Sequence, residues 1–226
     1  MPLFLDDLVD PFYEAVGQNF RNLFVRGQIL FTHIGYTQQN LEVWRPTGLD
    51  PSATAATSFH IVAAPGDSFN RGAPLHTPRL ETNEEFPVVR AKRRPVILMS
   101  PSTPVRQAQP VRGGGRVYRP LAIVVPVFSL VNRLTGQLKY DPQFVERMRR
   151  LEFPEFLYLP PRAGVLPVPS YARIGEAQAV YEPHLDAMDL KLVPDVLEVV
   201  QDALWWLTTQ AYGGTLAAYR EQLLNQ

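Results

Sequence analysis

The chain has 226 residues, 46% of them hydrophobic and 19% charged, with 22 basic residues balanced by 22 acidic ones. That length and composition suit one elaborated globular domain with a full hydrophobic core and exclude the low-hydrophobicity, high-charge regime of disordered chains. With no cysteine, a disulfide framework, a thiolate metal site and a cysteine nucleophile are all excluded.

The opening stretch MPLFLDDLVDP carries acids where a signal peptide needs basic residues, and no apolar run approaches the ~20 residues that span a bilayer. A cytoplasmic protein without membrane insertion is expected. Phe12, Val16, Phe20 and Leu23 or Phe24 recur at helical spacing after Asp10-Pro11, which predicts a helix over about 11–24 in an N-terminal extension of about 1–25. Gly27 ends that pattern, and Gln28–Ile34 reads as a strand rich in β-formers.

Residues 35–85 are polar and turn-rich, relieved by short apolar runs at Leu41–Trp44 and Phe59–Ala64, and read as an insertion carrying two short strands. Pro95–Ser100 and Leu121–Phe128 are continuous apolar runs of strand length, of the kind that fill a barrel. Between them, Thr103–Arg119 is a basic loop built around Gly113-Gly114-Gly115. Phe156–Leu159 and Ser170–Val180 predict further strands. Pro194 opens an amphipathic helix to about Gln210, and after Gly213-Gly214 a short helix over about 215–224 completes a C-terminal extension of about 209–226.

Charge is distributed unevenly along this framework. From Phe86 to Tyr140 there is no Asp or Glu but ten basic residues, leaving 12 basic and 22 acidic residues for the remainder. A basic segment in an acidic frame is a footprint of a polyanion-binding face, because Arg and Lys contacts to phosphate supply most non-specific affinity for nucleic acid. The bland alternative is a set of solvated loop cations balanced in space by the acidic remainder.

Several segments resemble, in order, those of the MazF/PemK/Kid toxin family and its relative CcdB. Arg26-Gly27-Gln28-Ile29 resembles the family's opening strand, Arg93-Arg94-Pro95-Val96-Ile97-Leu98 its RRP strand, and Val124-Val125-Pro126-Val127-Phe128-Ser129 its VVPVTS segment. Tyr171-Ala172-Arg173 with Gln178 and Val180 resembles a later strand, and Leu192-Val193-Pro194 followed by VLEVVQDAL resembles the closing helix. The resemblance covers roughly residues 26–208, interrupted by the insertion. It implies a single α+β, mainly β domain: an SH3-like small β-barrel with a C-terminal helix, here with an extra N-terminal helix and a long insertion.

The resemblance further implies a toxin of a type II toxin–antitoxin system: a metal-independent endoribonuclease in which the 2′-hydroxyl of single-stranded RNA attacks the adjacent phosphate. Such a reaction needs a base, a proton donor and positive charge around the phosphorane. Arg173 and Arg94 match the family's phosphate-binding arginines, and a guanidinium fork suits two phosphoryl oxygens. Ser129 is retained as a hydroxyl that can bond phosphate. The family's aspartate two residues beyond the strand arginine is Gly175 here, and its Glu or His before the RRP arginine falls at Val88 and Val89. Glu176 is the substitute base, although strand alternation turns it away from Gly175 unless a bulge re-aims it. Glu84 and Glu85 are nearby carboxylates, and His33 at the end of the first strand is a further candidate base.

Arg90, Lys92, Arg93, Arg112, Arg116 and Arg119 are the expected RNA-binding cations, and Phe128 offers a ring for a base, a contact worth about 1–3 kcal/mol in single-strand binders. Each has a structural alternative: Arg173 as an ion-pair partner of Glu176, Arg94 as a carboxylate partner, Phe128 as core. The histidines show no ligand spacing, so no metal and no cofactor are expected. The resemblance implies a homodimer silenced by an antitoxin protein. The competing reading is a non-catalytic barrel of the same fold that binds nucleic acid or a protein target, as CcdB-like relatives do.

Overall fold

The computed structural model describes residues 2–36, 40–49, 57–63, 86–101, 120–132 and 134–225. In chain order the elements are α1 (Leu5–Leu8), β1 (Tyr13–Glu14), β2 (Gln28–Gly35), β3 (Glu42–Leu49), β4 (Thr57–Ala63), β5 (Pro87–Val88), β6 (Ala91–Ser100), β7 (Leu121–Ser129), α2 (Pro142–Arg149), β8 (Phe156–Leu159), β9 (Ser170–Arg173), β10 (Gln178–Tyr181), β11 (Asp186–Leu192), α3 (Pro194–Thr209) and α4 (Gly214–Leu224). The chain divides into two compact units, Met1–His33 with Arg93–Gln226, and Ile34–Lys92.

The first unit is α+β, mainly β. Its antiparallel sheet runs β1-β11-β2-β6-β7-β9-β8, with β10 also paired to β7, and curls as a half-barrel beside the C-terminal helices. One face of the sheet, including Ile29, Ile97, Val125, Val127, Leu157 and Ala172, shares a buried cluster with Val196, Val199, Val200 and Ala203 of α3 and with Leu216 and Leu223 of α4. The α3 positions recur at the i, i+3, i+4, i+7 spacing of one helical stripe, and burying each such aliphatic side chain stabilises by roughly 1.5–3 kcal/mol. Gly27 lies close against this packing. At φ 79° it donates to Leu98 O (2.7 Å), accepts from Leu192 N (3.0 Å), and leaves only 3.3 Å between a notional Cβ and Leu197. Positive φ and close approach both demand glycine here.

On the opposite face, Leu130, Val145, Met148 and Tyr171 form a second buried cluster with Phe128, Phe144, Phe156 and Tyr158 against it. The helix covering this face, α2, was not foreseen. It starts at Asp141-Pro142, where Asp141 Oδ1 accepts from Gln143 N at 2.7 Å and Pro142 occupies the first turn.

The helix expected over 11–24 does not form. Phe12 and Tyr13 are neighbours in sequence, yet both are buried. Tyr13 and Glu14 instead pair with Leu192 and Lys191 as the edge strand β1. Gly17 then adopts φ 108° and donates to Asp189, and the turns that follow are rich in Asn19, Asn22 and Gly17, all poor helix formers. The N-terminal segment is tied down by Arg149, whose Nε and Nη2 meet both Asp6 carboxylate oxygens at 3.0 and 2.6 Å.

The strand expected over 170–180 is broken. β9 pairs with the second half of β7 and β10 with the first half, and a 3₁₀ turn at Ile174–Glu176 lies between them.

The second unit carries β4-β3-β5, including the two strands expected in the insertion. Val43 is fully buried, and Trp44 donates its amide to Phe86 O at 2.8 Å while meeting the Phe86 ring edge-to-face at 6.1 Å. Among the described residues no helix is long and apolar enough to cross a membrane. The basic loop Thr103–Arg119 and the carboxylates Glu84 and Glu85 lie outside the described residues.

The two C-terminal helices are joined by an unusual cap. Gly213 occupies the N-cap of α4 and has no side chain to offer, so Asp202 of α3 reaches across and accepts from Leu216 N at 3.0 Å. A Cβ on residue 213 would fall on that carboxylate. Gly213→Ala and Asp202→Ala are each expected to lower the unfolding free energy by about 1–2 kcal/mol. The double substitution should cost less than the two together, because both remove one hydrogen bond; urea unfolding of all four proteins measures this.

Candidate nucleic-acid interface

The register of the sheet brings the predicted residues of β6, β7 and β9 into one row. Val96 pairs with Pro126, and continuing that antiparallel register sets Arg94 opposite Phe128. Phe128 in turn pairs with Tyr171, and Tyr171 with Tyr158. The Arg94 guanidinium lies 4.4 Å from the Phe128 ring centre, and Phe128 stacks on Tyr171 at 5.6 Å and 28°. A cation over an aromatic face in this geometry contributes about 0.5–1 kcal/mol.

Beyond Tyr171 the rings close on themselves. Tyr171 meets Phe156 at 5.8 Å, Phe156 meets Phe144 at 5.8 Å, Phe144 meets Tyr140 at 5.8 Å, and Tyr140 returns to Tyr171 at 5.7 Å. The hydroxyls of Tyr140 and Tyr171 are hydrogen-bonded at 2.7 Å. Tyr171 is buried while Tyr140 is 38% exposed, so the pair runs from the sheet to the surface. Burial pushes the Tyr171 phenol well above its ordinary range; the hydrogen bond and charge of Tyr140 push the same way, and Arg173 pulls against them.

Arg173 follows Tyr171 by two residues on β9 and therefore shares its face. Its Nη1 meets Glu176 Oε1 at 2.9 Å, and both side chains reach solvent, at 46% and 25% exposure. The 3₁₀ turn makes this contact: it replaces strict alternation with a bend that returns Glu176 to the arginine three residues earlier. Gly175, between them in sequence, is exposed, and a Cβ there would meet nothing within 4 Å.

Other predicted residues lie elsewhere. Arg93 adjoins Arg94 and so faces the opposite side of the sheet, where its Nη2 meets Asp186 Oδ2 at 2.6 Å and its guanidinium covers the Phe31 ring at 4.8 Å. Ser129 Oγ donates to Val131 O at 2.5 Å and accepts from Val131 N at 3.2 Å, which commits its hydroxyl to its own turn. Arg90 and Lys92 are exposed in the second unit, with Arg90 O accepting from Tyr36 N at 2.8 Å. Val88 pairs with Glu42, and Val89 is exposed. Arg112, Arg116 and Arg119 lie outside the described residues. His33 is exposed on β2. Among the described residues no group of three His, Asp or Glu side chains is placed to hold a metal ion. Trp205 is 59% exposed on α3, and its neighbour Trp206 stacks on Tyr212 at 6.1 Å.

Sequence reasoning passed over Tyr140 and Tyr171. Tyr171 stood in the quoted Tyr171-Ala172-Arg173 segment, on the same strand face as the arginine; Tyr140 had no signal, because its position depends on α2. The arrangement joins an arginine–carboxylate pair, a phenol pair and a guanidinium-capped row of rings on one face.

No protein-family model, curated protein or solved structure matches this chain.

The raised phenols of Tyr171 and of Tyr13, which is lifted chiefly by burial, set the sign of an alkaline effect. Above the ordinary phenol value of about 10 the unfolded chain releases protons that the folded chain retains, so the contribution of these phenols to stability is level below that pH and falls as pH rises beyond it. Thermal unfolding between about pH 8 and about pH 11 should show the decline, and Tyr171→Phe should make it shallower.

Proposed function

We propose that this chain is a divergent MazF/PemK-like toxin of a type II toxin–antitoxin system, a metal-independent endoribonuclease on an SH3-like barrel. The observation behind the reading is the Arg173–Glu176 pair, held at 2.9 Å at the rim of the aromatic face, which is also the ion pair that the structural alternative for Arg173 expects. The family's phosphate-binding arginine position thus has a carboxylate beside it despite Gly175.

In this mechanism Glu176 takes the proton of the 2′-hydroxyl as that oxygen attacks phosphorus. Arg173 stabilises the charge gathering on the non-bridging oxygens. A guanidinium offers five N–H donors, so one edge holds Glu176 while another meets the phosphate. Arg94 adds positive charge at the other end of the row, where Phe128 and its neighbours supply apolar rings to a single-stranded base. The reading assigns longer-range attraction to the backbone to the other cations expected from the sequence, Arg90, Lys92, Arg112, Arg116 and Arg119, and not to Arg93, which faces the other side of the sheet. The same reading makes the protein a cytoplasmic homodimer whose groove is covered by an antitoxin.

The test is incubation of the purified protein with a long single-stranded RNA in EDTA. Cleavage leaving a 2′,3′-cyclic phosphate is expected, with Arg173→Ala slower by about 100-fold or more; intact RNA, or equal cutting by the variant, refutes the reading. Gly175→Asp, at a position open on all sides, should leave stability within about 1 kcal/mol and raise the cleavage rate by restoring the family's carboxylate.

A second reading, a non-catalytic CcdB-like barrel, is favoured by Ser129, whose hydroxyl is bonded to the Val131 backbone. It predicts RNA or protein binding with no cleavage. A log–log salt slope that becomes shallower by about one unit in Arg94→Ala would assign the bound partner as nucleic acid.

A further inference from the structure

Cleavage through 2′-hydroxyl attack needs a proton for the departing 5′ oxygen, and none of the groups assigned above supplies it. Arginine is a poor donor because its pKa lies above ~12. Ser129 is committed to Val131, and Lys139 directs its ammonium to Ser129 O at 3.1 Å. His184 packs its ring edge-on against Tyr181 at 5.2 Å, beyond β10.

The Tyr140–Tyr171 pair meets the need. Tyr171 and Arg173 lie on one face of β9 about 7 Å apart along the strand, and the Tyr140 hydroxyl sits 2.7 Å from that of Tyr171. Tyr140 is fixed in place: the Val131–Leu138 bridge and the bond from Lys139 N to Leu130 O (2.8 Å) anchor the chain just before it, and its ring rests on Phe144 of α2. A buried phenol must find an acceptor for its proton, and the oxygen of Tyr140 is the one at hand for Tyr171. Either hydroxyl can donate in this bond; in the arrangement in which Tyr171 donates, the hydrogen of Tyr140 is left free for a substrate oxygen. The upward displacement of the Tyr171 phenol keeps it in the donating form.

We propose that Tyr140 is the general acid of this site, giving its proton to the 5′ oxygen of the leaving nucleotide, with Tyr171 as the positioning residue behind it. This rests on the ribonuclease reading. The step balances: the O2′–P bond forms as Glu176 takes the 2′ proton, the P–O5′ bond breaks as Tyr140 releases its proton to O5′, and the products are a cyclic phosphate and a 5′-hydroxyl. Tyr140 recovers its proton from Glu176 through water. Tyr171 steadies the transient phenolate by its hydrogen bond.

The decisive experiment compares an RNA oligonucleotide containing the cleaved site with the same oligonucleotide bearing sulfur in place of the 5′ bridging oxygen. A thiolate, whose conjugate acid lies near ~8.5, departs without a proton, whereas an alkoxide needs one. Tyr140→Phe should slow cleavage of the oxygen linkage by about 100-fold or more and leave the sulfur linkage near the unaltered rate. Tyr171→Phe, which keeps the ring, should give a smaller loss on the oxygen linkage, again absent with sulfur. Equal losses on both linkages would mean Tyr140 acts through binding or folding, and the proposal fails. An unchanged rate in Tyr140→Phe alongside a collapse in Arg173→Ala overturns the proposal and leaves the ribonuclease reading standing. Failure of the unaltered protein to cut either linkage overturns both.

Discussion

Strand β7 is hydrogen-bonded along both edges. Val124–Pro126 pair with β6 on one side, while the other edge is divided between β10, at Leu121–Val124, and β9, at Val127–Ser129. A strand so enclosed has its register set twice over, and a slip by one residue would turn Val125 and Val127 out of the core and Phe128 into it. The row from Arg94 through Phe128 to Tyr171 is a consequence of that double constraint. No contact among these three side chains has to be strong for them to be aligned, because the backbone ladder holds each at the correct step of the pleat.

The same alternation explains why adjacent basic residues have different fates. Arg93 and Arg94 are neighbours in sequence but face opposite sides of β6, so one meets Asp186 and Phe31 while the other covers Phe128. A basic run in a strand therefore does not amount to a basic patch. Even so, the second cluster on the Phe128 face is apolar at its centre and charged at its margins, with Arg94 at one limit and Arg173 with Glu176 at another. Arg147 continues the pattern, with its guanidinium 4.5 Å from the Phe153 ring centre.

Long apolar runs were legible in the sequence because most of their length is buried without a break, and the proline-led helix α3 because its burial is periodic over many residues. Among the short elements β8 was legible at Phe156–Leu159, whereas β1 and α2 were not. Asp10-Pro11 and Asp141-Pro142 are the same dipeptide, yet only the second opens a helix, with Val145 and Met148 one turn apart on a buried face. After Asp10-Pro11, the adjacent Phe12 and Tyr13 are both needed in the core, and edge pairing with β11 outweighs a helical spacing that the following asparagines and Gly17 weaken. The Arg173–Glu176 pair was readable as an alternative because it is local, whereas the Tyr140–Tyr171 bond joins residues 31 apart and depends on where α2 lies. Sequence spacing carries information about one element at a time; the phenol pair is a property of two.

The 3₁₀ interruption between β9 and β10 has a consequence for how such a protein changes over generations. It sets Gly175 in open space at a point where the paired edge of β7 has passed from one partner to the next. Side chains can be exchanged there without touching a ladder bond or a buried methyl group. A lineage can therefore acquire, lose or relocate a carboxylate beside Arg173 through single substitutions that leave the fold's stability nearly untouched. The side chains at this rim are free to drift while the sheet beneath it is held fast.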